Sequence, residues 1–254
     1  MKSKTKMNFK LEICVDSVQS AVDAQNAGAD RVELCANLPE GGTTPGYGTI
    51  ALARKNLGIA LNILIRPRSG DFLYSGVEFD VMMKDIELCL SLGVDGIVTG
   101  ILKRDGSIDV DRTSRLVELA HPMSVTFHRA FDLCSDPLTG LEDIIKAGTD
   151  RLLTSGQSNT ADQGAQLISS LVRQSGNRIS IMPGSGINEA NISNVATITG
   201  AHEFHLSARK VIMSEMEYRK TDLTMGNLPG YDEFTRKVVN PDSIRNVIRI
   251  LKDI

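Results

Sequence analysis

Three times along this chain a helix-like stretch stops at a glycine and is followed two residues later by an aspartate: Ala27–Asp30 (AGAD), Leu92–Asp95 (LGVD) and Ala147–Asp150 (AGTD). Glycine just past a helix supplies the left-handed backbone that ends it. A short aliphatic or β-branched run comes next each time: RVELC at 31–35, DGIVTG at 95–100 and RLLTSG at 151–156. Strands separated by helices need crossover connections, so the sheet they form is mainly parallel.

The same unit recurs between these points. LEICV (11–15) precedes a helix opened by Asp16 or Ser17 and closed at Gly28. A Gly/Pro/Thr loop (39–48) leads into a helix over 49–57, and ALNILIRP (60–67) precedes a helix over 76–93. MSVTFHRAF (123–131) lies between a helix over 110–120 and one from Pro137 to Ala147. RISIMPG (178–184) and AHEFHLS (201–207) complete the strands, with helical patterns over 161–174 and 189–198. Eight such units in 254 residues suit a closed barrel, which commonly fills about 250 residues, better than an open doubly wound sheet. The expected fold is α/β, a (β/α)8 TIM-type barrel with a C-terminal extension. A single domain is expected over 1–254, with the barrel over 10–208 and the extension and closing helix over 209–254.

Within that extension, 209–234 is rich in Met, Lys and Glu and carries Gly226, Pro229 and Gly230. Connections this long are more often functional or interface elements than spacers. NPDSIRNVIRILKDI (240–254) then reads as a helix capped by Asn240 or Asp242, with Pro241 in its first turn.

Charge narrows the partners. Lys and Arg number 28 against 31 Asp and Glu, a net charge of -3, which gives no electrostatic case for nucleic acid or an anionic membrane. Lys2, Lys4, Lys6 and Lys10 resemble the charged start of an export signal, but the apolar run behind them, LEICV, is only five residues long. Such a signal needs an apolar segment of about 7–15 residues, and a membrane span needs about 18; the sequence contains neither. The four cysteines, Cys14, Cys35, Cys89 and Cys134, lack CxxC spacing, which points to reduced thiols and a cytoplasmic location. Each taken alone also reads as a small buried hydrophobe.

A β/α barrel carries its chemistry at the C-terminal rim, and strand side chains alternate between the two faces. Placing the polar member of each pair inward selects Glu12, Cys14, Glu33, Cys35, Asn62, Arg66, Thr99, Thr126, His128, Thr154, Glu203, His205 and Ser207. Glu33, Arg66 and His128, with Glu203 or His205, combine a candidate general base with an anion clamp, which suits an enzyme acting on a small anionic or phosphorylated metabolite. A satisfied ion-pair network inside the barrel is the plainer alternative. Arg66, Arg68 and Arg129 all follow strands, and an arginine fork matches a carboxylate or phosphate. PGSGI (183–187) and SAR (207–209) follow the seventh and eighth strands, where many barrels hold phosphate. Gly184, Ser185, Gly186, His205 and Ser207 are accordingly anion-binding candidates, with a simple tight turn as the alternative. No HxH, HExxH or EF-hand pattern occurs. Cys14 and Cys35, however, end neighbouring strands in the inward register, about 4.8 Å apart. Two thiols there suit one soft ion such as Cu(I), or are simply buried. No organic cofactor is indicated.

Seven segments together resemble the CutC family, whose members are associated with copper homeostasis. They are EICVDSVQSAVDAQNAGADRVELCANLPEGGTTPGYG (12–48), IRPRSGDFLYS (65–75), GIVTG (96–100), VTFHRAFD (125–132), RLLTSGQ (151–157), IMPGSGI (181–187) and EFHLSAR (203–209). The resemblance runs from about Lys10 to Arg209. It implies a β/α barrel with a C-terminal extension, a cytoplasmic location and a homo-oligomer. It also implies Cu(I) binding, because family members that carry both cysteines are described as binding it and those positions match Cys14 and Cys35. Leu206 stands where some members carry another cysteine, so the resemblance implies no third thiol from the eighth strand.

Overall fold

The computed structural model describes residues 9–220, 222–223, 225 and 232–254. Lys2, Lys4, Lys6, Gly226, Pro229 and Gly230 of the sequence reading lie outside them. The strands are β1 (Lys10–Val15), β2 (Arg31–Leu34), β3 (Ala60–Leu64), β4 (Gly96–Thr99), β5 (Ser124–Phe127), β6 (Arg151–Thr154), β7 (Ser180–Pro183) and β8 (Glu203–Leu206). Helices α1 (Val18–Asn26), α2 (Tyr47–Asn56), α3 (Gly76–Leu92), α4 (Val110–Ala120), α5 (Pro137–Lys146), α6 (Ala165–Ser175) and α7 (Ile192–Thr199) connect them. The strands run in the order β7-β6-β5-β4-β3-β2-β1-β8, and a parallel bridge between Gly184 and His205 joins the two ends. This is a (β/α)8 TIM-type barrel. Among the described residues no helix is long and apolar enough to cross a membrane.

The repeated glycine–aspartate punctuation has one structural meaning. Gly28, Gly93 and Gly148 all have positive φ, which lets the chain turn sharply out of each helix. The aspartate then seals the start of the neighbouring strand. Asp30 accepts from the Leu11 amide, Asp95 from Leu61 and Asp150 from Val125, each at 2.8 Å. Three otherwise open backbone donors at the bottom of the barrel are thereby satisfied.

Outward side chains of the strands, such as Ile13, Val32, Ile63, Val125, Phe127 and Phe204, are almost wholly buried under the helices. Inside, the barrel is charged at its floor. Arg31 on β2 donates to Glu12 on β1 at 2.5 Å and to Glu203 on β8 at 2.8 Å. Arg151 on β6 donates to the same Glu203 at 2.7 Å and to the Thr126 hydroxyl on β5. Asn62 on β3 and Ser180 on β7 donate to Glu12 and Glu203 respectively. The β4 position in this layer is Gly96, where a Cβ would lie 2.4 Å from the Asn62 side-chain oxygen. This network is not built from the residues weighed as the plainer alternative: Arg31, Arg151 and Glu12 make it, and of that earlier set it takes Glu203 and, through Glu12, His205.

Three expectations need correction. Thr99 on β4 and Thr154 on β6 do not point inward: Val98 packs with Cys14, Cys35 and Leu64, and Leu153 lines the interior above Arg151. Helix α6 begins at Ala165 rather than at 161, because Gly164 and Gly156 bring two backbones too close for any side chain. The extension is not a plain loop. Arg209–Met213 (β9) pairs antiparallel with Thr235–Val239 (β10), ahead of helix α8 (Pro241–Lys252), which is capped by Asn240.

Burial pushes the Glu12 carboxyl upward, but the Arg31 guanidinium and the His205 imidazole outweigh this and hold it at about 2. Its contribution to stability is present above the ordinary glutamate pKa of about 4.3 and is lost as pH falls towards 2. Breaking a buried pair costs about 3–5 kcal/mol, so urea unfolding of Arg31→Met should show a loss of that order. It should also show a weaker pH dependence between about 4 and 2 than the wild type; a loss under about 1 kcal/mol would remove the network from the fold's foundations.

Candidate functional site

Above the charged floor, Cys14, Cys35, Leu64 and Val98 form a small apolar and sulfur layer. A cavity of about 330 Å³ opens above it at the C-terminal mouth. Cys14 is the penultimate residue of β1 and lies in register with Glu33 on β2, and Cys35 is the first residue past β2. Alternation puts all three on the inner face. The two sulfurs are 3.8 Å apart, and one ligand atom from each of Cys14, Glu33 and Cys35 falls within 4.8 Å of the others. His205 reaches in from β8, its Nδ1 against Glu12 at 2.8 Å and its Nε2 3.7 Å from Glu33.

These groups hold one another's protons. The hydrogen bond from Cys35, aided by His205, holds the Cys14 thiol well below its usual range, whereas the same bond and burial push Cys35 well above it. The shared proton is thereby drawn from Cys14 towards Cys35. Burial and the neighbouring Cys14 raise Glu33. Burial opposes charge on His205, but its bonds to Cys14 and Glu12 prevail and raise it.

The opposite wall has different chemistry. Arg66 is buried, and its guanidinium donates to three backbone carbonyls, Glu40 and Gly42 through Nη1 and Gly70 through Nη2. It thus shapes the loops after β2 and β3. Arg129 donates to Asp132 at 2.8 Å and to the Ser155 hydroxyl. Asp132 also accepts from the Thr154 hydroxyl, from the Ser155 amide and hydroxyl and from the Gln157 amide. His128 takes the Ala130 amide on Nδ1 at 3.2 Å, so its hydrogen sits on Nε2, which has no partner among the described residues. Burial, reinforced by the Arg66 charge, pushes His128 down to about 3. It is neutral at ordinary pH.

Of the residues singled out in the sequence, the structure brings Cys14, Glu33, Cys35, Arg66, His128, Arg129 and His205 to one cavity. Arg68 is not among them; it points away and pairs with Glu78 and Asp71. Ser185 donates to the Asn159 carbonyl, and the Gly186 carbonyl takes Asn188 and Asn191. Gly184 is a packing glycine, since a Cβ there would lie 2.5 Å from Leu153 and 3.3 Å from His205. Ser207 is exposed and does not line the cavity. Phe72 and Asp132 also line it and were missed. Asp132 stands three residues after Arg129 in HRAFD, an ion-pair spacing that could have flagged it.

The fold and this cavity define a class: β/α barrels with a cysteine pair at the C-terminal mouth. The CutC family model matches residues 9–210. The chain is 52% identical over 239 residues to a CutC family protein of Chromobacterium violaceum, covering 94% of this chain and 96% of that one. It is 44% identical over 246 residues to the human protein named copper homeostasis protein cutC homolog, covering 97% and 90%. A crystal structure of a CutC protein from Streptococcus agalactiae superposes with a TM-score of 0.75 at 33% identity, over 78% of this chain and 98% of that one. The chain belongs to the CutC family.

His128 is held in place partly by what Gly100 lacks. A Cβ at Gly100 would sit 2.5 Å from His128 Nδ1 and 3.0 Å from Ala130. Overpacking of this kind costs about 1–3 kcal/mol, so Gly100→Ala should lower the melting temperature and displace the His128 imidazole resonances. Unchanged resonances would show that Gly100 does not set the ring's position.

Proposed function

We propose that this chain binds Cu(I) as cargo through Cys14 and Cys35 at the barrel mouth, as part of copper homeostasis in the cytoplasm. The observation that carries this reading is the pair of inward sulfurs 3.8 Å apart, close enough for one ion to touch both. Soft sulfur ligands favour Cu(I), and the lowered Cys14 thiol gives up its proton to the ion more readily than an ordinary cysteine. Glu33, the third member of the cluster, lies beside them as an oxygen donor and proton acceptor. All four cysteines are free, in keeping with a reducing compartment. The human relative's name, copper homeostasis protein cutC homolog, points the same way. The enzyme alternative gave His128 or Glu33 the proton transfer. His128 is bonded as a donor rather than a base, and Glu33 sits within the cysteine cluster, which supports copper handling.

Self-association is also proposed, between ribbons of two copies of this chain. One face of the exposed β9–β10 ribbon carries Val211 and Met213, with Lys237 opposite Val211, and Glu215 and Glu217 follow it. These opposite charges let two copies pair while covering the apolar side chains. Sedimentation of Val211→Glu/Met213→Glu should show a smaller assembly than the wild type; a wild type that already sediments as a monomer overturns the proposal.

Competition with a Cu(I) chelator should give about one ion per reduced chain. Cys14→Ser/Cys35→Ser should lose that binding. Because Cys35 holds its proton at neutral pH and must release it to bind, apparent affinity should rise with pH, by about tenfold per unit for one proton. Unchanged binding in the double variant would eliminate the thiol clamp.

A further inference from the structure

A single ion would occupy only a corner of a cavity of about 330 Å³. The wall away from the sulfurs has two features that the copper reading does not use. The first is the charge on Arg66. Its guanidinium is bonded only to neutral carbonyls, and no carboxylate lies within ion-pair distance of it among the described residues. The cavity's two acids are committed elsewhere: Asp132 to Arg129 and the Ser155 loop, and Glu33 beside His205. Tyr74, near Arg66, is pushed up to about 12, first of all by burial, so it supplies no countercharge. Buried charges are normally paired. Arg66 is only 5% exposed.

The second feature is the Nε2–H of His128. The residue is 6% exposed, it lines the same cavity, and this donor has no partner among the described residues. Phe72 holds the two together, with Arg66 over its ring at 5.0 Å and the His128 ring centroid at 5.0 Å. An uncompensated positive charge beside an unused neutral donor calls for an oxyanion with one negative charge. A dianion would leave one charge buried and unanswered. Around these donors the lining is apolar, from Leu38, Leu133, Leu153 and Phe72.

We propose that the cavity contains a second site, which binds a short-chain monocarboxylic acid with its carboxylate between Arg66 and His128 and its hydrocarbon tail along the apolar lining. Each added methylene then contributes buried apolar surface, worth about fourfold in affinity. This site is independent of the copper reading, because neither anchor is a thiol.

The test uses the full, reduced, copper-free chain labelled with 15N-histidine and titrated with acetate, propionate, butyrate and inorganic phosphate. The expected result is a downfield movement of the His128 Nε2–H resonance with the carboxylates, with butyrate binding tightest. Because Arg66 braces three loop carbonyls, the variant of choice is His128→Phe, which should weaken butyrate binding by about 10-fold or more through the lost hydrogen bond. The wild-type resonance needs no variant and decides the matter alone if His128→Phe fails to fold. Cys14→Ser/Cys35→Ser should keep butyrate affinity while losing Cu(I), so failure of either site is read separately. An unmoved His128 resonance, tighter binding of phosphate than of butyrate, or loss of butyrate binding in the cysteine variant would each overturn the proposal.

Discussion

At the floor of a β-barrel, beyond the reach of loop carbonyls, a buried arginine needs acids from other strands to meet it, and in this molecule that requirement ties the ring together. Arg31 and Arg151 reach the same Glu203 carboxylate oxygen from β2 and β6, on either side of β8. Glu12 completes the set from β1. Leaving any one of these four unpaired strands a charge in a medium where charge is costly. The network therefore makes a partly assembled sheet poor and a closed one good. Desolvation can cost a buried ion pair as much as its attraction returns, while removing one partner leaves an uncompensated charge. The network's effect here is to fix strand register at the floor, and every cavity residue inherits its height from that register.

The inheritance is arithmetic. Two residues along β1 from Glu12 stands Cys14, and two and four along from Arg31 stand Glu33 and Cys35. Two along β8 from Glu203 stands His205. A strand alternates with period two, so a charged floor at one level places sulfurs, acid and imidazole at the next levels on the same inner face. A one-residue slip of β1 would turn Cys14 outward and abolish the pair.

How far this was legible without coordinates depended on how local each signal was. The glycine–aspartate punctuation is local and marked three of the eight strands; the other five were read from short aliphatic runs between helical patterns, and the family resemblance agreed. Inward parity was legible where a strand carries two polar residues at the right spacing, as with Glu33 and Cys35 or Thr126 and His128. It failed at Thr99 and Thr154, where the inward partners, Val98 and Leu153, are apolar because the layer around the sulfurs is apolar. Arg31 and Arg151 went unread because a charged residue at a strand's first position looks like a solvated end. Yet both directly follow the repeated aspartate, in AGADR and AGTDR. The β9–β10 ribbon was missed for a topological reason: its strands are separated by more than twenty residues, and no tight-turn signal joins them. The GSG glycines are required for packing against Leu153, His205 and Thr160, a requirement that sequence spacing does not distinguish from anion binding.

The cavity divides by hardness of its donors. One wall offers polarisable sulfur, backed by Glu33 and His205, which exchange influence over protons with the thiols. The other offers fixed N–H donors, Arg66 and His128, whose positions are set by loop carbonyls, the Ala130 amide and the missing side chain at Gly100. Soft ions and oxyanions are recognised by opposed chemistry, so the two walls do not compete for one guest. They share only the apolar space between them, lined by Leu153 and Phe72.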